Sequence, residues 1–225
     1  MTNLAGLRSP QLAGLSPVLA VPLGATEQHG PHLPLGTDTA IAVELCRRLA
    51  EREPRVLVAP AVPYGSSGEH AGFPGTLSIG QAAVELLVVE LVRSADAFAG
   101  VVLVSGHGGN LEPLGAAVRL LRSEGRRVLA WLPDGPAADS HAGRTETSVM
   151  LRLAPGEVAL AAAQPGNTTP LPGLLPRLRQ GGVAAVSSNG VLGDPTGAGS
   201  GEGERILRRW ADALTARVQA WLARS

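Results

Sequence analysis

The segment EQHGPHLPLGTD, Glu27 to Asp38, gathers two histidines and two carboxylates among prolines and glycines. In extended backbone, residues i and i+2 point to the same side, so Glu27 and His29 can face one point in space. Asp38 follows a proline-rich turn, and its two oxygens can bridge two ions. His107 stands in SGHGGN, and His141 and Glu146 stand in HAGRTETS. Glu27, His29, Asp38, His107 and Glu146 form a nitrogen and oxygen donor set suited to zinc, iron(II) or manganese. The absence of thiolate ligands points to a catalytic rather than a structural site. Two divalent ions about 3.5–4 Å apart could activate a shared water and polarise a carbonyl. That is the machinery for opening an amide. Gly106, Gly108 and Gly109 let the backbone turn beside His107 and approach a ligand closely. His70, Gly108, Gly109 and Asn110 are the candidate substrate contacts.

These side chains need elements to position them. All five histidines, His29, His32, His70, His107 and His141, fall in loops. Apolar runs at 17–25, 55–65, 101–110 and 126–133 read as strands. Apolar spacings of three and four predict helices over 38–51, 79–100, 111–125 and 201–225, and a loop turning to helix over 141–155. Fully apolar strands alternating with helices predict an α/β fold, with a parallel sheet covered on both faces. Ligands bind such sheets at the C-terminal ends of the strands, where ATEQHG and SGHGGN both fall. The chain reads as one domain over 1–225. Its Gly/Pro-rich stretch 163–201 reads as a lid or an oligomer contact. His32, between prolines, is expected to point to solvent. Asp194 is expected to shape the pocket or cap a turn.

Composition narrows the classes. The 225 residues are 44% hydrophobic and 17% charged, with zero net charge. That describes a globular chain without the electrostatic footprint of a nucleic-acid binder. All 19 basic residues are arginine, so a catalytic lysine and a Walker-type phosphate site are excluded. SGHGGN does not continue into G-x-G-x-x-G, because position 111 is leucine. The single cysteine, Cys46, excludes an intrachain disulfide and reads as a buried helix residue. No run reaches the ~18 apolar residues of a membrane span, and no signal-peptide pattern opens the chain. A cytoplasmic location and no membrane partner are expected.

Taken in order, GATEQHGPHLPLGTDT, FPGT, SGHGGN and HAGRTETS resemble the creatininase (creatinine amidohydrolase) family. The resemblance implies a Rossmann-like fold, two divalent ions per subunit, a homo-oligomer that is frequently a hexamer, and hydrolysis of C–N bonds. Carried over residue by residue, it implies Glu27, His29, Asp38 and His107 as metal ligands, with Asp38 bridging. Creatinine-opening members carry a ligating glutamate two residues beyond the loop histidine. Here that position is Gly109, and Glu146 is expected to supply the carboxylate. Segments 64–80 and 166–206 resemble the subfamily of mycofactocin biosynthesis. Its members act as peptidases on a ribosomal precursor peptide and release a core made from a modified Val-Tyr pair. His141 and Glu146 are then the expected catalytic residues, with His141 giving a proton to the leaving amine or holding the tetrahedral intermediate. Two alternatives stand beside this reading: a cyclic-amide hydrolase or deformylase, and a non-catalytic oligomeric scaffold that binds a small molecule.

Overall fold

The computed structural model describes residues 3–224. Four parallel strands, β1 (Val18–Leu23), β2 (Val56–Val58), β3 (Gly100–Ser105) and β4 (Val128–Trp131), form one sheet in the order β2-β1-β3-β4. Among the described residues, six α-helices, α1 (Thr37–Arg52), α2 (Gly80–Arg93), α3 (Leu111–Ser123), α4 (Arg144–Leu153), α5 (Leu171–Gly181) and α6 (Ser200–Leu222), accompany the sheet, with short 3-10 turns between elements. The expected α/β architecture is therefore present. All six residues of β1 and of β3 are buried, as their apolar runs require when helices cover both faces.

One apolar layer joins the sheet to α1, α4 and α6 through Ile41, Leu45, Leu49, Val149, Leu207 and Leu214. The other joins it to α2 and α3 through Val84, Val88, Val92, Leu114 and Leu121. Cys46 is buried within α1, as expected. The chain leaves β1 toward β2 and then crosses back to β3 on the other side. A crevice for ligands therefore lies at the carboxyl ends of β1 and β3, which pair from Val18↔Gly100 to Leu23↔Ser105.

Three elements differ from expectation. The second strand keeps only Val56–Val58, because Pro60 and Pro63 lack the N–H a ladder needs, and pairing returns only as a Leu23↔Val62 bridge. Helix α2 stops at Arg93, and turns at Ala95 and Phe98 lead into β3. The stretch 163–201 contains α5, which carries Pro176 inside it, a composition that hides a helix from sequence patterning. The rest of that stretch packs onto the site: Leu192 pairs with His141, and Asn167 N–H donates to the Val191 carbonyl. Asp194 caps a turn, accepting from the N–H and hydroxyl of Thr196.

The first turn of α1 is wedged between the two central strand exits. A Cβ at Gly24, after β1, would overlap Thr39, and a Cβ at Gly106, after β3, would overlap the Asp38 carbonyl. Gly108 faces open space. Gly106→Ala is expected to cost about 1–3 kcal/mol, the range for overpacking a tight contact. Gly108→Ala should shift the urea midpoint little. Equal midpoints for the two variants would remove the wedge from the account.

Candidate metal centre

Five loops and helix starts converge beyond the strand ends. The Asp38 carboxylate stands in the first turn of α1, where the helix dipole favours negative charge. Its Oδ1 lies 3.1 Å from His29 Nε2 and its Oδ2 lies 3.2 Å from His107 Nδ1. Glu27 Oε1 lies 3.3 Å from His107 Nδ1. Glu146 Oε2 lies 3.9 Å from His29 Nε2. Two groups could each hold a cation, Glu27–Asp38–His107 and His29–Asp38–Glu146, and they share Asp38. A third grouping, Glu27–His29–His141, overlaps both.

The donor chemistry fits a divalent metal. Both Glu27 oxygens and Asp38 Oδ2 are buried without a hydrogen-bond partner. Carboxylate oxygens in that condition are costly unless a cation meets them. The outer bonds aim the rings inward. His29 Nδ1–H donates to the Glu27 carbonyl at 3.1 Å, leaving Nε2 free toward Asp38. His107 Nε2–H donates to the Ser66 carbonyl at 2.9 Å, leaving Nδ1 free toward Glu27 and Asp38. Such support is the usual companion of a metal-binding histidine.

Glu146 is held by local backbone. Asp139 accepts from the N–H groups of Arg144 and Thr145 and so caps α4. Ala142, in the left-handed region at φ 52°, turns its N–H onto Glu146 Oε2 at 2.6 Å. Burial pushes the Glu146 carboxyl up to about 7. Burial would pull His29 down, yet Asp38, Glu146 and Glu27 hold it up at about 10. Burial likewise opposes the charge of Asp38, but His29 and His107 keep its carboxyl well below the usual range. At His70 and His141 burial and the neighbouring imidazoles outweigh the carboxylates: His70 falls to about 3 and His141 well below its ordinary value.

The remaining candidates fall around this centre. His141 lines a cavity of about 240 Å³, together with Asp38, His107, Gly108 and Glu146. His70 is buried behind Glu27, with Nε2 3.3 Å from Oε1. Asn110 ties the loops together, accepting from Ser66 N–H and donating to the Gly24 carbonyl. Gly109 is closely packed, since a Cβ there would overlap the Ser66 carbonyl, Glu69 and His107. His32 is buried rather than solvent-facing and bonds Thr147 of α4 at 2.8 Å.

Two residues at the centre were passed over in the sequence. Glu69 places Oε1 3.7 Å from His107 Nε2, so it is the carboxylate beside Gly109, whereas Glu146 stands on the His29 side of Asp38. Its adjacency to His70 in a loop was the available signal. Gln28 is buried between Glu27 and His29, and its side chain reaches His70 and His141. Alternation along the chain turns it away from its two neighbours, so spacing alone gave no signal.

The charge states set a pH dependence for the metal-free chain. His29 holds its proton to about 10 when folded, against 6.5 unfolded, so its contribution is full below 6.5 and fades as pH rises through 10. Glu146, raised from 4.5 to about 7, acts in the same direction over its own window. Stability of the chelator-treated protein is expected to fall between pH 6.5 and 10. Zinc should reverse the trend, because binding requires neutral His29 and ionised Glu146. Urea melts across this range, with zinc and with chelator, test it; parallel curves would contradict it.

Comparison with known proteins agrees with this geometry. The creatinine amidohydrolase family matches residues 5–218. A mycofactocin precursor peptide peptidase of Mycolicibacterium smegmatis is 52% identical over 220 residues, covering 95% of this chain and 89% of its own. A solved structure described as creatininase Mn superimposes with a TM-score of 0.79 at 27% identity, covering 97% of this chain and 98% of its own. A creatininase mutant described as of Zn-Zn type gives a TM-score of 0.78 at 26% identity, with 97% of each chain covered. The fold, the buried donor set and these likenesses lead to one assignment: the chain belongs to the creatininase family and is a hydrolase acting on amide bonds.

Proposed function

We propose that this hydrolase is a peptidase that cleaves the modified C-terminal Val-Tyr core from the mycofactocin precursor peptide. Two divalent ions, zinc and/or iron(II), with manganese as a substitute, are its cofactors. The observation that carries the reading is the pair of cation-fitting groups sharing Asp38 beside a cavity, in a chain 52% identical to a peptidase of that name.

Glu27, Asp38 and His107 would hold one ion, and His29, Asp38 and Glu146 the other. When bound, the ions supply activation of water and polarisation of the scissile carbonyl. The chain's own groups do the rest. Leu132, Leu171 and Trp210 give the cavity an apolar wall against which the modified side chains can lie. Gly108, with open space in place of a side chain, leaves room for the peptide backbone. His141 is neutral, and its Nδ1 lies 3.7 Å from Glu27 Oε1. It takes the proton of the attacking water as the new C–O bond forms. It returns that proton to the leaving nitrogen as the C–N bond breaks. His70, Gly109 and Asn110 act from behind, holding the loops that shape the site. The homo-oligomer implied by family resemblance is part of the same proposal, with light scattering as its measurement.

The test is mass spectrometry of the metal-loaded enzyme with the decarboxylated, cross-linked precursor peptide. The expected products are a fragment carrying the two modified residues and the truncated peptide. Intact peptide alongside full metal loading would refute the substrate. Asp38→Ala should lose bound metal and reduce cleavage by orders of magnitude. Normal turnover in that variant would refute the bridging role.

A further inference from the structure

We propose that Gln28 is the positioning residue of this centre: its single carboxamide and its own backbone carbonyl fix which ring nitrogen of His70 and of His141 carries the hydrogen. The inference rests on the reading of His141 as the proton carrier.

Gln28 is buried, so its carboxamide must find its partners inside the protein. Oε1 accepts from Gly30 N–H at 2.8 Å, and Nε2 donates to the Gly190 carbonyl at 3.1 Å. Rotating the amide would set donor against donor at Gly30 and acceptor against acceptor at Gly190. The orientation is therefore fixed by backbone groups on both sides. The second Nε2 hydrogen goes to His70 Nδ1 at 2.8 Å. His70 must then carry its own hydrogen on Nε2, the nitrogen 3.3 Å from Glu27 Oε1.

The amide hydrogens are now used, so the 3.1 Å approach of Gln28 Nε2 to His141 Nε2 has none to share. His141 Nε2 also lies 2.8 Å from the Gln28 carbonyl, which can only accept. The His141 hydrogen is therefore on Nε2, and the lone pair on Nδ1 faces Glu27. Two neighbouring rings, with centroids 4.4 Å apart, present opposite characters to one carboxylate oxygen. His70 turns its Nε2–H toward Glu27 Oε1, 3.3 Å away. His141 stays open to accept.

The clamp on Gln28 comes from the Gly/Pro-rich stretch. Gly190 sits at φ 79°, and a Cβ there would overlap the Gln28 carboxamide. The Gln28 N–H is held as well, by Thr76 of FPGT at 3.1 Å. One side chain thus joins three distant segments to the proton chemistry.

The experiment is long-range ¹H–¹⁵N correlation on ¹⁵N-histidine-labelled, zinc-loaded protein, which reads each ring's tautomer and needs no substrate. In the wild type, His70 and His141 are both expected as the Nε2–H form. Gln28→Met keeps the length and removes both donors, so His70 should leave the pure Nε2–H form. Cleavage should fall about 10–100-fold in kcat, as for loss of outer-shell support, with KM nearly unchanged and zinc retained. Gly190→Ala should reproduce the shift from outside the centre, should Gln28→Met fail to fold. A wild-type His70 protonated on Nδ1, or variants with unchanged tautomers, would overturn the proposal. Because the spectrum is read without substrate, failure of the peptide reading leaves this test decisive.

Discussion

The centre depends on how closely the start of α1 can approach the sheet. Gly24 and Gly106 end neighbouring strands, and neither carries a side chain that would hold the helix away. The helix start drops between them and brings Asp38 to both histidines, one at each of its oxygens. The same approach closes the crevice where the chain direction reverses across the sheet, the place where open α/β sheets bind ligands. Glu27 and His29 reach the centre on the loop after β1, His107 on the loop after β3, and Glu146 in the first turn of α4, so the seat of α1 sets the common point.

Charge then divides the histidines into two kinds. His29 and His107 face carboxylates directly and are held up despite their burial. His70 and His141 are buried beside other imidazoles and are driven down, which keeps them neutral. Rings within one centre are thus held charged by carboxylates or kept neutral, according to the balance of groups around each one. Four backbone carbonyls, of Glu27, Gln28, Ser66 and Gly190, orient the inner rings directly or through Gln28. Burial makes that orientation durable, because breaking any of these bonds leaves a buried polar group without its partner.

The family likeness and the local departures fit together. Where a creatinine-opening member is expected to carry a side chain at position 109, this chain has glycine, and Glu69 and His107 crowd that space instead. The stretch 163–201 supplies α5 and the Gly190–Leu192 support for Gln28 and His141. Its composition made it look irregular, yet it braces the centre, and Phe73 of FPGT packs against its Leu174, Val183 and Leu192.

Much of the fold was legible in the chain. Apolar runs long enough for strands, separated by amphipathic helices, leave few arrangements other than a covered parallel sheet. Ligand-type residues placed after those runs mark its working edge. This covers Glu27, His29, Asp38, His107 and Glu146, because each is tied to the end of an element or the start of a helix. The extent of β2, the end of α2 and the existence of α5 were not legible, because proline and glycine blur local periodicity. Nor were the burial of His32, the approach of Glu69 or the reach of Gln28. Those follow from contacts between segments as many as 162 residues apart, Gln28 with Gly190 being the case in point. Local sequence determines which residues can do chemistry and where the strands deliver them. Only the tertiary structure decides which nitrogen faces which oxygen, because that depends on donors and acceptors brought by distant parts of the chain.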